Sequence, residues 1–431
     1  MAHSTGSPPP SGAEGKKEAG VSRLFLAFGS RPYRWLWANS VLASLGRMTE
    51  MLVQGWLVLL VTDSVFWVGA SAGLRGVGTV GFGLIGGVIV DRMDRRKVLL
   101  VTQLLGAGVA LLVALLVVTD TVKLWHLLLV AVLQGMMMAV AMPARNALTF
   151  DIVGKERLVN ALALNMMALN ITRSVGALIA GVMIDSVGVG RVYYMISGSL
   201  ALASVVLVFM EGDYPPTGAR EPVWRNAREG VVHVWNNRPV RSLLSLSLLV
   251  EGFAFSFHVM LPVMARDVLH VGGTGFGVLA SVGGIGALAS TAVVAYMGDF
   301  RSIGRMVVMT AGGFGLFLVL FALSPALPSS FAVALVALLL VGAMSMAYDT
   351  TMGALLQLLV PDAVRGRVMG LYVLTFGFTP LGGFVAGAIA SVVGAPIAVG
   401  LGGGVVVGYV IGRVRPMSRI REAEVPVGEQ G

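Results

Sequence analysis

The chain has 431 residues, of which 56% are hydrophobic and only 12% are charged, whereas ordinary soluble domains carry about a quarter charged residues. So few charges exclude a water-soluble surface, and the mean hydropathy of +0.85 predicts an integral membrane protein. The net charge of +9 raises nucleic acid as an alternative partner, which the positions of the basic residues must decide. The chain has no cysteine, which excludes disulfides and thiolate metal sites.

The first 30 residues include the run Ser-Pro-Pro-Pro-Ser-Gly and the pair Lys16-Lys17. They lack the apolar core of about 7 to 15 residues that a signal peptide requires. This composition is typical of a disordered segment. We therefore expect residues 1–22 to form a disordered cytoplasmic tail.

Twelve apolar segments follow this tail, and all but the short twelfth one have about the 20 residues or more that a helix needs to cross a bilayer. The predicted spans are 35–61, 67–90, 98–118, 125–150, 158–184, 192–210, 243–268, 276–297, 306–323, 331–360, 368–393 and 397–411. The predicted fold class is an all-α membrane protein with twelve transmembrane helices.

The two halves of the chain repeat each other at a separation of 207 or 208 residues. The pairs at 208 residues are Gly69 with Gly277, Gly76 with Gly284, Gly78 with Gly286 and Asp91 with Asp299. This repeat predicts two pseudo-symmetric six-helix bundles, 23–211 and 242–413, with a substrate site at their seam. A linker, 212–241, joins the bundles, and residues 414–431 form a second cytoplasmic tail. In the linker an amphipathic helix opening at Pro222 is expected on the inner membrane surface, as a tether or a regulatory element.

The basic residues lie on one side of these spans. Twenty-four lysines and arginines fall in the tails and in the loops on their side, whereas the opposite side carries only Lys123, Arg191 and Arg266. This asymmetry follows the positive-inside rule and places both termini in the cytoplasm. It also removes the nucleic-acid alternative, because the charge is spread along one rim and no binding motif accompanies it.

The loop between the second and third spans carries the most specific motif. It reads Gly87-Val-Ile-Val-Asp91-Arg92-Met-Asp94-Arg95-Arg96-Lys97. It resembles the signature loop of the major facilitator superfamily, Gly-x-x-x-Asp-Arg/Lys-x-Gly-Arg-Arg/Lys, with Asp94 in place of the second glycine. A degraded copy runs from Asp299 to Arg305, where the repeat places it. The resemblance implies the major facilitator fold.

This loop is predicted to form a conformational latch. Asp91 can accept hydrogen bonds from the N-terminus of another helix, and Arg95 can pair with a carboxylate. The alternative, that the basic side chains only anchor the loop inside, is favoured for Arg96 and Lys97. The predicted latch residues are Gly87, Asp91, Arg92, Arg95 and Arg96.

Two further segments resemble the branch of this superfamily that includes the enterobactin exporter and macrolide efflux proteins. They are Pro-Ala-Arg-Asn-Ala at 143–147 and Val-Pro-Asp-Ala-Val-Arg-Gly-Arg-Val-Met-Gly-Leu-Tyr at 360–372. The chain departs from drug–proton antiporters at Ala131, where they carry arginine, and at Gly176-Ala177, where exporters commonly have Gly-Pro. Both departures weaken a proton-antiport mechanism taken from the resemblance.

Seven ionisable side chains other than histidine lie inside apolar spans or near their inner ends: Arg47, Glu50, Arg75, Arg145, Arg173, Glu251 and Asp349. Each should be paired or face water, because a charge in a membrane is costly. Arg47 and Glu50 share a helix face. With Arg173 they are predicted to form a cluster that binds an anionic substrate or, alternatively, a self-satisfied ion network. In the second half the candidates are Glu251, His258 and Asp349. Asp349 and Glu251 are candidate proton-coupling carboxylates, with structural hydrogen bonding as the alternative.

Other patterns are better explained by packing. Gly76-Val-Gly78-Thr-Val-Gly81 fits a dinucleotide-binding pattern, but it lies within a span, where small residues let helices approach closely. Met136-Met137-Met138 is interpreted as lipid-facing or core, with an adaptable ligand-binding wall as the alternative.

The sequence therefore predicts a non-enzymatic secondary transporter without cofactors, a monomer in the cytoplasmic membrane in contact with lipids. The predicted substrate is a small amphipathic organic compound, a drug or siderophore-like metabolite. Export follows from the resemblance, and protons are the candidate coupling ion. The alternatives are a lysolipid or lipid translocator and a membrane sensor or scaffold with the same fold.

Overall fold

A computed structural model describes residues 26–210, 212, 214, 231–297 and 303–418. The predicted tail 1–22, most of the predicted linker helix, and Asp299 and Arg301 of the second loop lie outside the described residues.

Every regular element in these described residues is a helix. A short 3₁₀ helix, Leu26–Gly29, precedes twelve long helices. These are α1 (Arg31–Thr62), α2 (Val65–Arg92), α3 (Arg95–Val118), α4 (Leu124–Leu158), α5 (Asn160–Val187), α6 (Val189–Val208), α7 (Arg238–Val268), α8 (Gly272–Met297), α9 (Ile303–Leu323), α10 (Ser330–Leu359), α11 (Val364–Val393) and α12 (Ala395–Ser418).

The twelve helices match the twelve predicted spans. Ten of them are long and apolar enough to cross a membrane, and α2 is the eleventh, bent by 51° near its tail-side end. The remaining helix, α1, is 32 residues long but carries Arg47, Glu50 and Gln54, which lower its hydropathy. The fourth and twelfth spans run further than predicted. At the end of α4 the chain turns at Gly154, whose φ of 68° favours glycine.

Because the helices alternate in direction, their ends define two faces of the molecule. We call the face that holds the start of α1 and the end of α12 the tail face, and the opposite one the far face. Local sequence explains how several helices begin: the Asp94 carboxylate accepts hydrogen bonds from the backbone N–H groups of Arg96 (2.8 Å) and Lys97 (3.1 Å). Asn237 caps α7 in the same way, at 3.1 Å from the N–H of Val240.

The sequence repeat reappears in the packing of equivalent helices. In the first half, a Cβ added to Gly135 of α4 would overlap the carbonyl oxygen of Arg75 in α2. In the second half, a Cβ added to Gly342 of α10 would overlap the carbonyl oxygen of Gly283 in α8. Only glycine lets these backbones come so close.

The packing interpretation of the Gly76–Gly81 pattern is confirmed at Gly76 and Gly78, where an added Cβ would lie 2.9 Å from the Cβ of Pro380 and would overlap the carbonyl oxygen of Val132, respectively. It is not confirmed at Gly81, where an added Cβ would meet no described atom within 4 Å.

The two halves meet at the far face through two equivalent helix pairs. An added Cβ on Gly69 of α2 would lie 2.7 Å from the Cα of Gly387 in α11, and one on Gly181 of α5 would lie 2.7 Å from the Cα of Gly277 in α8. Nearer the tail face, an added Cβ on Gly87 of α2 would meet no atom within 4 Å. The halves are therefore in close contact at the far face.

Candidate functional site

The first half encloses a cavity of about 230 Å³, lined by residues of α1 to α6. Its wall is rich in methionine. The lining methionines are Met48, Met51, Met137, Met138, Met142 and Met166. The sequence favours a lipid-facing or core position for Met137 and Met138, and this prediction is wrong, because both line the cavity. The direction of a side chain depends on how its helix is rotated against its neighbours.

Charged side chains from α1 and α2 project into this cavity. Glu50 is only 4% exposed and interacts electrostatically with Arg75 and Arg47. Arg75 is positioned by a 3.1 Å hydrogen bond from its Nη2 to Oε1 of Gln54, and Gln54 in turn donates to the carbonyl of Leu127 (3.0 Å). The predicted proximity of Arg47 and Glu50 is therefore present, with Arg75 as an additional partner.

Arg145 of α4 completes the charged lining. Its Nη1 donates a long hydrogen bond of 3.4 Å to Oγ of Ser44. Its charged neighbour is another arginine, Arg47. Among the described residues, the buried Nη2 of Arg145 has no hydrogen-bond partner. The cavity thus contains both uncompensated positive charge and an unpaired hydrogen-bond donor.

Arg173 lies elsewhere. It lines a smaller cavity of about 110 Å³ between the two halves, together with Arg75 and with His258 of α7. Its electrostatic partners are Asp349 and His258 in the second half. The predicted cluster of Arg173 with Arg47 and Glu50 is therefore divided. The sequence places Arg173 at mid-depth in a helix that neighbours α1. That position does not show which half of the protein its side chain faces.

The two candidate coupling carboxylates lie in the second half and interact electrostatically with each other. Glu251 is 4% exposed and accepts a 2.5 Å hydrogen bond from the hydroxyl of Thr379. Asp349 has one buried oxygen, Oδ1, with no hydrogen-bond partner among the residues that the structure describes. Arg173 interacts electrostatically with Asp349, so one member of this carboxylate pair faces a positive charge from the other half.

Polar contacts hold the two halves together at the far face. The Asp185 carboxylate, near the end of α5, accepts hydrogen bonds from the backbone N–H groups of Gly273 (2.8 Å) and Thr274 (2.7 Å) at the start of α8. Arg266 of α7 forms an ion pair with Asp63, just after α1, and donates to the carbonyl of Leu59 (3.0 Å). The sequence did not single out Asp185 and Asp63, because both lie at the ends of membrane spans, where acidic residues are common.

The signature loop occupies the tail face. Arg95 forms an ion pair with Asp151 of α4, so its predicted pairing with a carboxylate is present. Arg96 donates through Nε to the carbonyl of Leu207 and through Nη2 to that of Val208, both at 2.8 Å. It thereby fastens the loop to the end of α6, in agreement with the anchoring interpretation.

Asp91, Gly87 and Arg92 lie at the end of α2. No hydrogen bond or ion pair of Asp91 is found within the described part of the chain. Its contact with another helix's N-terminus stays a prediction for a state in which the tail face closes.

Comparisons with known proteins agree with this architecture. The family model described as "Transmembrane secretion effector" matches residues 24–426. The chain is 24% identical over 368 residues to the staphyloferrin A transporter of Staphylococcus aureus, covering 84% of this chain and 90% of that protein. It is 26% identical over 317 residues to the enterobactin exporter EntS of Shigella boydii, covering 73% and 74%.

Solved structures share the fold. The nucleoside transporter NupG superposes with a TM-score of 0.74 at 12% identity, covering 89% of this chain and 98% of that one. A bacterial homologue of the iron transporter ferroportin, in an inward-facing state, gives a TM-score of 0.65 at 18% identity, covering 88% and 98%. The twelve helices, the repeated packing and the family match lead to one conclusion: the chain is a multi-pass membrane transporter that belongs to the transmembrane secretion effector family of the major facilitator superfamily.

Proposed function

We propose that this transporter exports a small amphipathic organic compound, a drug or siderophore-like metabolite, from the cytoplasm by alternating access. The observation that carries the proposal is a charged, methionine-lined cavity in a molecule whose halves are joined at the far face. Such a state can take up substrate from the tail face, and release requires the far-face contacts to break. The similarity to a staphyloferrin A transporter and to an enterobactin exporter supports a siderophore-like substrate.

A susceptibility panel tests this function. We expect the chain, expressed in an efflux-deficient bacterium, to raise tolerance to some amphipathic drugs or metabolites and to lower their cellular accumulation. The same bacterium carrying the empty expression vector serves as the control for transport. A panel in which neither tolerance nor accumulation changes would favour the sensor or scaffold alternative.

The direction of transport depends on the tail face being cytoplasmic, as the positive-inside rule predicts. Cysteine labelling tests this without background, because the chain contains no cysteine. In intact cells we expect an impermeant thiol reagent to label Ser64→Cys at the far face and to leave Met93→Cys at the tail face unlabelled. Met93 is 47% exposed, so after membrane permeabilisation it should react. The reverse labelling pattern would invert the proposed orientation.

Energy coupling is proposed for the carboxylates of the second half. Asp349 is surrounded by Glu251, Tyr348 and Tyr372 of its own half and by Arg173 of the other half, which also acts on His258. Two carboxylates in an apolar setting repel each other, and one proton removes that repulsion. Movement of the halves would change the distance between Arg173 and the carboxylate pair. Because a nearby positive charge lowers the proton affinity of a carboxylate, this movement would change how tightly the pair binds a proton.

We expect Asp349→Asn to abolish the pH dependence of transport while some substrate binding remains. The measurement is proton-gradient-driven uptake in inverted membrane vesicles, with Asp120→Asn in a far-face loop as the matched control. If Asp349→Asn keeps the wild-type pH dependence, Asp349 has a structural role. Proton coupling would then depend on Glu251 or Glu50, or transport would not be coupled to protons.

A further inference from the structure

We propose that Arg47 and Arg145 form an anion-binding site in the cavity of the first half, which selects amphipathic substrates bearing a carboxylate or a comparable anionic group. This inference rests on the proposed transport function and names the substrate class. The groups concerned lie on α1 and α4, whose side chains face the same cavity.

The charge of the cavity favours an anion. Its described ionisable lining consists of three arginines, Arg47, Arg75 and Arg145, and one carboxylate, Glu50. Glu50 interacts with Arg75 and Arg47, while the charged neighbour of Arg145 is Arg47, of the same sign. Like charges in a weakly polar environment repel strongly. An anion between Arg47 and Arg145 would turn that repulsion into two attractions.

Hydrogen bonding points the same way. Within the described part of the chain, the buried Nη2 of Arg145 has no hydrogen-bond partner, and its Nη1 makes a long contact of 3.4 Å with Oγ of Ser44. Buried donors are costly when unsatisfied. A guanidinium presents parallel N–H groups that match the two oxygens of a carboxylate. The free donors of Arg145 are therefore suited to a carboxylate ligand.

The rest of the cavity suits an apolar body attached to that anion. Met48, Met137 and Met138 lie on the lining, and flexible, polarisable methionine side chains adapt to varied apolar or aromatic shapes. Arg173 is outside this site, because it faces Asp349 and His258 in the other half. The structure therefore assigns substrate charge recognition to the first half and leaves Arg173 to the coupling carboxylates.

Three probes with one apolar body and different head groups test the site: 2-naphthoate, 2-naphthamide and 2-naphthylmethylammonium. Binding to the purified full-length protein in detergent is measured by calorimetry. We expect naphthoate to bind about tenfold or more tightly than the amide, because charged hydrogen bonds contribute that much. The ammonium probe should bind more weakly still. Arg145→Gln and Arg47→Gln should remove the preference for naphthoate, and Arg145→Lys should restore part of it.

Arg191→Gln, at an exposed far-face position, is the matched control and should bind like the wild type. Gel filtration and thermal unfolding show whether each variant is folded. If the glutamine variants do not fold, the comparison of the three head groups on the wild-type protein still tests the proposal. Equal binding of acid and amide, or tightest binding of the ammonium, overturns the proposal. Because binding is measured without transport, a failed susceptibility panel with intact naphthoate selectivity would reject export and leave the anion site standing.

Discussion

Asp185→Asn is expected to open the far face. The carboxylate of Asp185 accepts two backbone hydrogen bonds from the first turn of α8, in the other half of the protein. The N-terminus of a helix carries partial positive charge, which a carboxylate satisfies better than a neutral amide. The substitution keeps the size of the side chain and one acceptor oxygen. We expect the equilibrium to shift toward the open far face by about 1–3 kcal/mol, or roughly 5- to 150-fold.

Labelling of a buried position measures this shift. Ser71 lines the cavity between the halves and is 2% exposed, so a Ser71→Cys reporter should react slowly with an impermeant reagent added at the far face. The Asp185→Asn variant should accelerate that reaction, whereas Asp120→Asn, which removes a carboxylate from a far-face loop, should not. Equal rates in all three proteins would show that Asp185 does not hold the far face closed.

Asp91 occupies a related place at the opposite face. Asp185 lies near the end of α5 and Asp91 near the end of α2, and both helices pack against the other half. Asp185 is bound to the start of α8 in this state, whereas no partner of Asp91 is found among the described residues. We therefore expect Asp91→Asn to act in the opposite direction and to favour the open tail face.

Gly342→Val is expected to destabilise the second half severely. A Cβ at Gly342 would overlap the carbonyl oxygen of Gly283, and a backbone atom cannot move aside without separating α8 from α10. Overpacking costs about 1–3 kcal/mol where side chains can adjust, so a backbone overlap should cost at least the upper value. The thermal unfolding temperature in detergent, followed by gel filtration, should fall sharply.

Gly353→Val is the matched control because it changes the same residue type in the same helix. An added Cβ there would meet no atom within 4 Å, and valine has a higher helix propensity than glycine. We expect the unfolding temperature of this variant to stay near that of the wild type. A similar loss in both variants would mean that the cost arises within α10 itself and not from its contact with α8.

The sequence by itself determined the number of helices, the duplication and the set of buried charges. Each of these depends on local properties, because about 20 apolar residues suffice to define a span and a charge within a span is conspicuous in any fold. Close packing at Gly76 and Gly78 also followed from the sequence, because small residues within a span let helices approach closely.

Only the tertiary structure decided which of these groups meet. Arg173 faces Asp349 and not Glu50, although position along the helix suited either partner. The counter-charge of Asp349 is Arg173 in the other half, so the sequence of its own helix does not show it. Met137 and Met138 face the cavity, and Asp185 finds its donors 88 and 89 residues further along the chain. Hydropathy determines whether a helix crosses the membrane. The rotation of that helix and the helices beside it are determined by packing against other helices.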